Sequence, residues 1–331
     1  MINDLKRIMS IHGVTSDEGR VADYIEKELL PYVDEIKRDP LGNLIAVKKS
    51  SLADAKKVML AAHMDEIGFM VTCIEESGYI RIAPVGGINP IAYAYCSVIF
   101  KNGTVGVLVP EGKVEPKDLN VSRMYVDIGA KNAKEAEKKV KIGEFLTCRH
   151  AFTHLYGKRY SGRPFDDRVG CYVMIEIAKA LKECKNTVYF VFTTQEEVGL
   201  RGAAAASYNV QPDIGLAFDV APVADTIASP ARTLKLGKGA AIKIKDSSVI
   251  CNSQLVAALK ELAEKGNIDH QMEITERGGT DTAMMQTVAG GSKAAGISIP
   301  SRYIHSQNEM IDMHDVECVI KLGTLACDLR I

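Results

Sequence analysis

Hydrophobic and polar positions along the chain change period several times, and each change predicts a different kind of structure. Apolar residues at helical spacing over 2–11 and 17–30 predict two opening helices, the second capped by Ser16 and stopped by Pro31. From 43 to 62 the pattern is that of strands, ending in Val58-Met59-Leu60-Ala61-Ala62. A continuous apolar run of that length predicts a strand buried on both faces. Residues 67–157 carry short alternating runs at 69–74, 79–83, 96–100, 104–109, 124–128 and 144–148, separated by Gly, Pro and Asn, with one Lys/Glu-rich helical piece at 133–140. That pattern predicts a small barrel-like β unit. Beyond it, helices at 167–183, 253–265, 280–288 and 314–328 alternate with strands at 187–194, 214–219 and 294–299. The alternation is that of an α/β sheet with helices on both faces.

Residues 1–66 offer too few strands for a sheet of their own. They are expected to join residues 158–331 in one α/β domain with a mixed sheet, interrupted by a β-rich domain at 67–157. Composition narrows the partners. The 331 residues hold 41 basic and 42 acidic side chains, a formal charge of −1, which removes the electrostatic case for nucleic acid or an anionic membrane. The first residues are charged where a signal peptide is apolar, and no later run approaches the roughly 20 apolar residues of a membrane span. A cytoplasmic location is therefore expected. The eight cysteines are scattered, with no C-x-x-C pair, so they are expected to be reduced, mostly buried apolar residues and not a thiolate metal site.

Several expected strands end in a residue able to bind a metal, and in an open α/β sheet the carboxyl ends of the strands form the ligand crevice. The strand at 58–62 runs into His63-Met64-Asp65-Glu66, and that at 188–194 into Gln195-Glu196-Glu197. The strand at 214–218 runs into Asp219, and that at 294–300 reaches His305 a few residues later; Asp166-Asp167 stands at the start of a helix. Each has a bland explanation alone. Glu196-Glu197 could be the acidic first turn of a helix, Asp166-Asp167 or Asp219 a cap, and His63 or His305 a hydrogen-bonded structural histidine. Their joint placement favours a site. Histidine and carboxylate ligands without thiolates suit zinc, cobalt or manganese with room left for water. Two histidines and three carboxylates overfill one tetrahedral ion, yet serve two ions roughly 3.5–4 Å apart if one carboxylate bridges. His12, His150, His154, His270 and His314 lack carboxylate neighbours at strand ends and are expected to be structural.

The chain resembles the TET-type dinuclear metallo-aminopeptidases, the glutamyl and leucyl aminopeptidase family, over nearly its whole length. The resemblance rests on His63-Met64-Asp65-Glu66-Ile67-Gly68, Asp127-Ile128-Gly129-Ala130, Asp166-Asp167-Arg168-Val169-Gly170-Cys171, and the run from Thr194 through Gln195-Glu196-Glu197-Val198-Gly199 to Ala203. Phe218-Asp219-Val220, Gly278-Gly279-Thr280-Asp281 and Arg302-Tyr303-Ile304-His305-Ser306 complete it. It implies an aminopeptidase with two divalent ions, zinc or cobalt foremost and manganese compatible. Asp166 would bridge them, His63 and Asp219 would hold one, and Glu197 and His305 the other. Glu196 would be the catalytic base and Asp65 the carboxylate behind His63, a pairing with its own logic because a metal-bound imidazole donates its second N–H. Gly279, Thr280 and Asp281 would floor the substrate cleft. Substrates would be short peptides with a free N-terminus. The β insert would be a dimerisation domain, its dimers assembling toward a tetrahedral dodecamer. Between Pro110 and Met124 this chain departs from many members, which carry a longer segment with a Pro-Pro-His element at subunit contacts, so the resemblance stops short of the exact oligomer.

Two other readings compete: a carboxypeptidase or amidohydrolase with a related dinuclear centre, and a non-catalytic binding protein on the same fold. Loss of Glu196 or of a ligand would favour the second, and all are present. The preferred N-terminal residue stays open; Arg168, Arg232 and Arg302 are candidates to meet an acidic one.

Overall fold

The computed structural model describes residues 2–149, 151–229 and 234–331, so His150 and Arg232 lie outside the described residues. The apolar run at 58–62 lies in strand Lys57–His63. It pairs in parallel with Thr187–Thr193 on one side and Ile214–Pro222 on the other, and Lys293–Arg302 continues the parallel set. Burial on both faces follows from what packs there. Val58, Leu60 and Ala62 join the core built with helices Phe165–Ala180 and Met313–Ala326, while Met59 and Ala61 face the opposite way into a cluster with Ala206 and Met285.

Antiparallel strands flank this centre. Leu44–Lys48 pairs with Thr187–Thr193, and Ala240–Lys245 and Glu309–Asp312 pair with Lys293–Arg302. The sheet is thus mixed, with 11 strands among the described residues, and helices cover both faces. A closed barrel, separate from the sheet, runs in the order Gly68–Ile74, Ile80–Val85, Met124–Asp127, Val105–Pro110, Ser97–Phe100, Phe145–Cys148. It encloses its own apolar cluster, including Phe69, Val98, Phe100, Leu108 and Leu146.

Some local expectations are corrected. The second helix starts at Gly19 without a Ser16 cap. Ser16 takes a left-handed φ of 75°, and its amide donates to Glu18 Oε1, which also accepts the amide of Gln195. This turn is shaped to hold the segment next to Glu196. The helical piece at 133–140 is one turn, Ala133–Ala136, capped by Asn132. The helix expected at 167–183 begins at Phe165, but Asp166 and Asp167 have non-helical backbone, which frees their carboxylates from a helix face. Strands Arg159–Gly162 and His270–Ile274 and helix Arg201–Val210 were not foreseen. Six of the eight cysteines are buried, Cys73 is exposed and Cys184 intermediate.

One buried lock sets the turn after Thr187–Thr193. Asn43 donates to the carbonyl of Gly202 at 3.0 Å and accepts the amide of Thr194 at 2.9 Å. A Cβ on Gly202 would lie 2.3 Å from the Thr194 carbonyl and 2.4 Å from Asn43 Oδ1. Gly202→Ala is therefore expected to cost about 1–3 kcal/mol in urea denaturation, the usual range for overpacking. Gly19→Ala, with nothing within 4 Å of the added carbon, serves as the near-neutral control.

Candidate metal centre

The parallel strands deliver their carboxyl ends to one edge of the sheet, and the candidate side chains meet there. His63 ends its strand, Asp219 lies near the end of Ile214–Pro222, and Glu196 and Glu197 begin the tight turn after Thr193. His305 follows Lys293–Arg302. Asp166 stands between the two histidines: His63 Nε2 is 3.1 Å from its Oδ1 and His305 Nε2 is 3.2 Å from its Oδ2. Glu197 Oε1 lies 3.2 Å from His305 Nε2, while Glu196 Oε2 and Asp219 Oδ1 each lie 3.9 Å from His63 Nε2. Potential ligand atoms of Asp166, Glu197 and His305, and those of His63, Asp167 and Asp219, lie within 4.8 Å of one another.

Both imidazoles are oriented from behind. His63 Nδ1 is 3.1 Å from the carbonyl of Asp65, and His305 Nδ1 is 3.1 Å from that of Gly87. A carbonyl only accepts, so each Nδ1 carries a proton; each Nε2 faces the carboxylates and, on giving up its own proton, can offer its lone pair to a metal ion. The Asp65 carboxylate is 3.5 Å from His63 Nδ1 and does a second job. It accepts the amides of Glu196 and Glu197 at 3.1 and 3.2 Å and the hydroxyl of Thr15 at 2.8 Å. Asp167 accepts the amides of His63 and Gly170, each at 3.1 Å. A Cβ on Gly170 would come within 2.4 Å of Asp167 Oδ1, so only glycine fits that place in the motif.

Glu309 was not foreseen as part of the site. Its carboxylate accepts the amides of Phe165 at 2.6 Å, Asp166 at 3.1 Å and His305 at 3.3 Å. It thereby ties two distant chain segments into one cluster, and it helps fix His305 in the left-handed backbone region at φ 60°. Arg163, fully buried, lies 3.6 Å from Glu309 and 3.6 Å from Glu66, and donates to Tyr93 and the carbonyl of Ile67. Glu309 lies four residues after His305, and Arg163 three before Asp166, but nothing in those spacings announces burial.

The electrostatics are those of a place short of positive charge. Burial, reinforced by neighbouring acids, pushes the carboxyls of Glu196, Asp167 and Asp219 well above the ordinary range and raises that of Glu197. Burial alone would lower both imidazoles; surrounding carboxylates more than reverse this, and His305 rises to about 11. Asp166 goes the other way: burial opposes its charge, but His305 and His63 hold it below the usual carboxylate range. Glu197 Oε1 is buried with no properly angled hydrogen-bond donor. A cluster of acids forced to share protons, with a spare buried oxygen and only nitrogen and oxygen donors, fits divalent cations.

The M42 glutamyl aminopeptidase family profile matches residues 42–322. The chain belongs to the M42 glutamyl aminopeptidase family. The lysyl aminopeptidase of Pyrococcus furiosus is 38% identical over 96% of this chain and 94% of its own. An aminopeptidase from the archaeon Desulfurococcus kamchatkensis superposes with a TM-score of 0.95 at 32% identity, covering 99% of this chain and 94% of that one. The TET1 peptidase of Pyrococcus horikoshii, described as assembling into a tetrahedron or a large octahedral shell, gives 0.90 at 33% identity over 99% of each chain. As an M42 aminopeptidase the protein is a peptide hydrolase that depends on divalent metal ions, and the carboxypeptidase, amidohydrolase and non-catalytic readings are not favoured.

The M42 centre opens into a cleft of about 410 Å³. Gly279 and Thr280 line it; Asp281 is buried beneath, accepting the hydroxyl of Thr193 at 2.6 Å. Arg168 is buried and donates to the carbonyls of Met64, Ile8 and Ile11, and Arg302 is paired with Asp225 at 2.7 Å. Neither lines the cleft, whereas Arg277, unforeseen, does. Of the other histidines, His154, His270 and His314 make surface or backbone contacts away from the centre.

Glu309→Gln keeps the size of the side chain but removes the charge that binds three amides. Its affinity for added zinc, read by competition with a chromogenic chelator, is expected to fall about 10–100-fold, the range for such supporting groups.

Proposed function

We propose that this M42 aminopeptidase removes N-terminal residues from short peptides with two divalent ions held by His63, Asp166, Glu197, Asp219 and His305. Asp166 would bridge the ions, with His63 and Asp219 holding one and Glu197 and His305 the other. The observation that carries this reading is the position of Asp166, with one oxygen 3.1 Å from His63 Nε2 and the other 3.2 Å from His305 Nε2. Two such ions, zinc or cobalt foremost and manganese compatible, supply Lewis-acid polarisation of the scissile carbonyl and acidify water toward a pKa of about 7.

Glu196 is the general base. Its carboxylate faces the cleft, and Asp65 fixes its backbone amide. It takes the proton from the attacking water as oxygen bonds to the carbonyl carbon. Burial favours the protonated form that results, so Glu196 can hand the same proton to the leaving amine as the C–N bond breaks. Asp65 acts behind His63 and through the Glu196–Glu197 amides. Gly279, Thr280 and Asp281 form the cleft floor, with Asp281 acting from below.

Residues 67–157 are read as a dimerisation domain inserted into a catalytic domain of residues 1–66 and 158–331, a division supported by the barrel's own apolar core. The protein is read as a homo-oligomer, its dimers assembling as in the TET peptidases. A cytoplasmic setting is supported by cysteines that are mostly buried within the core. Among the described residues no helix is long and apolar enough to cross a membrane.

Glu196→Gln is expected to keep its metal content by elemental analysis and to lose about 10²–10⁴-fold in kcat, the span of general acid–base catalysis. Near-normal turnover would reassign the base. Arg277 is the one lysine or arginine among the described cleft-lining residues, which favours an acidic first side chain. On a panel of aminoacyl chromogenic substrates, Arg277→Ala should lose about tenfold in kcat/KM for glutamyl and aspartyl substrates and little for leucyl ones. A uniform loss across the panel would remove Arg277 from selectivity.

A further inference from the structure

A second cleft, of about 440 Å³, lies at the seam between the N-terminal helices and the barrel, and it shares no lining residue with the metal centre. Its charge is lopsided. Lys6 from the first helix, Arg20 from the second, and Lys101 and Arg149 from the barrel side line it, against a single lining acid, Glu66. Glu66 is already answered: it accepts the Thr147 hydroxyl at 2.8 Å and faces Arg163 and Arg168 at 3.6 and 3.9 Å. Asp17, which does not line the cleft, is ion-paired with Lys101 through Oδ1, while its buried Oδ2 lies beside the His12 imidazole. Among the described residues no carboxylate is paired with Lys6, Arg20 or Arg149, which converge on the cleft from three chain segments. Lys6, Arg20 and Arg149 are exposed enough to reach a solute.

At the inner wall stands His12. Its side chain is nine-tenths buried, at 10% exposure, 3.6 Å from Asp17, and neither ring nitrogen has a hydrogen-bond partner. Burial holds the imidazole below its ordinary pKa, with Glu66 and Asp17 pulling upward and Arg168 and Arg20 downward. A neutral buried imidazole carries an N–H that wants an acceptor. Met9, Ile99, Phe100 and Phe152 supply apolar wall beside these donors.

We propose that this cleft binds a small organic anion of the phosphomonoester class, its phosphate met by Lys6, Arg20, Arg149 and His12 and its body lying on Phe100 and Phe152. A phosphomonoester brings close to two negative charges and three acceptor oxygens, which suits three uncompensated cations and a neutral N–H better than a monovalent carboxylate does.

Isothermal titration of phenyl phosphate into the metal-loaded protein tests this, with inorganic phosphate and phenol as comparison ligands. The expected result is saturable binding of one phenyl phosphate per chain, weaker binding of inorganic phosphate and none of phenol. The Lys6→Ala/Arg149→Ala double variant and the His12→Gln variant should each bind at least about tenfold more weakly. Both lie away from the metal centre, so their peptidase activity and metal content should match the parent protein. Absence of saturable binding up to about 10 mM overturns the proposal. So does equal affinity in the parent and both variants, which would place the ligand on the metal ions. Inorganic phosphate binding as tightly as phenyl phosphate overturns the assignment to an ester.

Discussion

The structure is organised around a charge imbalance that protein groups alone do not resolve. Asp166, Asp167, Glu196, Glu197 and Asp219 are gathered at one edge of a buried sheet with two imidazoles between them. In low dielectric such carboxyls either take up protons or require cations, and most of their pKa values move in the direction of taking up protons. Asp166, set between both imidazoles, is the exception that stays ionised. Divalent ions answer the imbalance, and the proposed mechanism sets such Lewis acids beside Glu196.

Keeping those groups in place falls to buried polar residues that do not line the cleft. Asp65 binds the Glu196 and Glu197 amides, Asp167 binds that of His63, and Glu309 binds those of Asp166 and His305. Each carboxylate joins segments far apart in the chain, so the geometry is a property of the whole sheet edge. The barrel takes part as well. Gly87, just past one of its strands, orients His305, and Tyr93 and Ile67 receive the Arg163 guanidinium that faces Glu309. A movement of barrel against sheet would therefore be felt at the candidate metal centre.

Much of this could be read in the amino-acid order, because the signals were local. The run at 58–62, the alternating barrel strands and the acids and histidines at strand ends all follow from period and placement along a few residues. The supporting shell did not show itself for the opposite reason. Glu309 in Gln-Asn-Glu-Met and Arg163 before Pro164 look like ordinary surface charges until the fold buries them against one another. The same holds for charge near the cleft: Arg168 and Arg302 had plausible positions in the sequence, yet one is consumed by backbone carbonyls and the other by Asp225, while Arg277 reaches the cleft. Ser16 failed as a helix cap because the turn it occupies is bent to serve Gln195.

Anomalous-difference maps from crystals grown with zinc, collected on both sides of the zinc absorption edge, test the bridging arrangement most directly. Two peaks roughly 3.5–4 Å apart, one beside each oxygen of Asp166, are the expected result. A single peak, or a pair that Asp166 does not touch, would contradict the dinuclear centre described here.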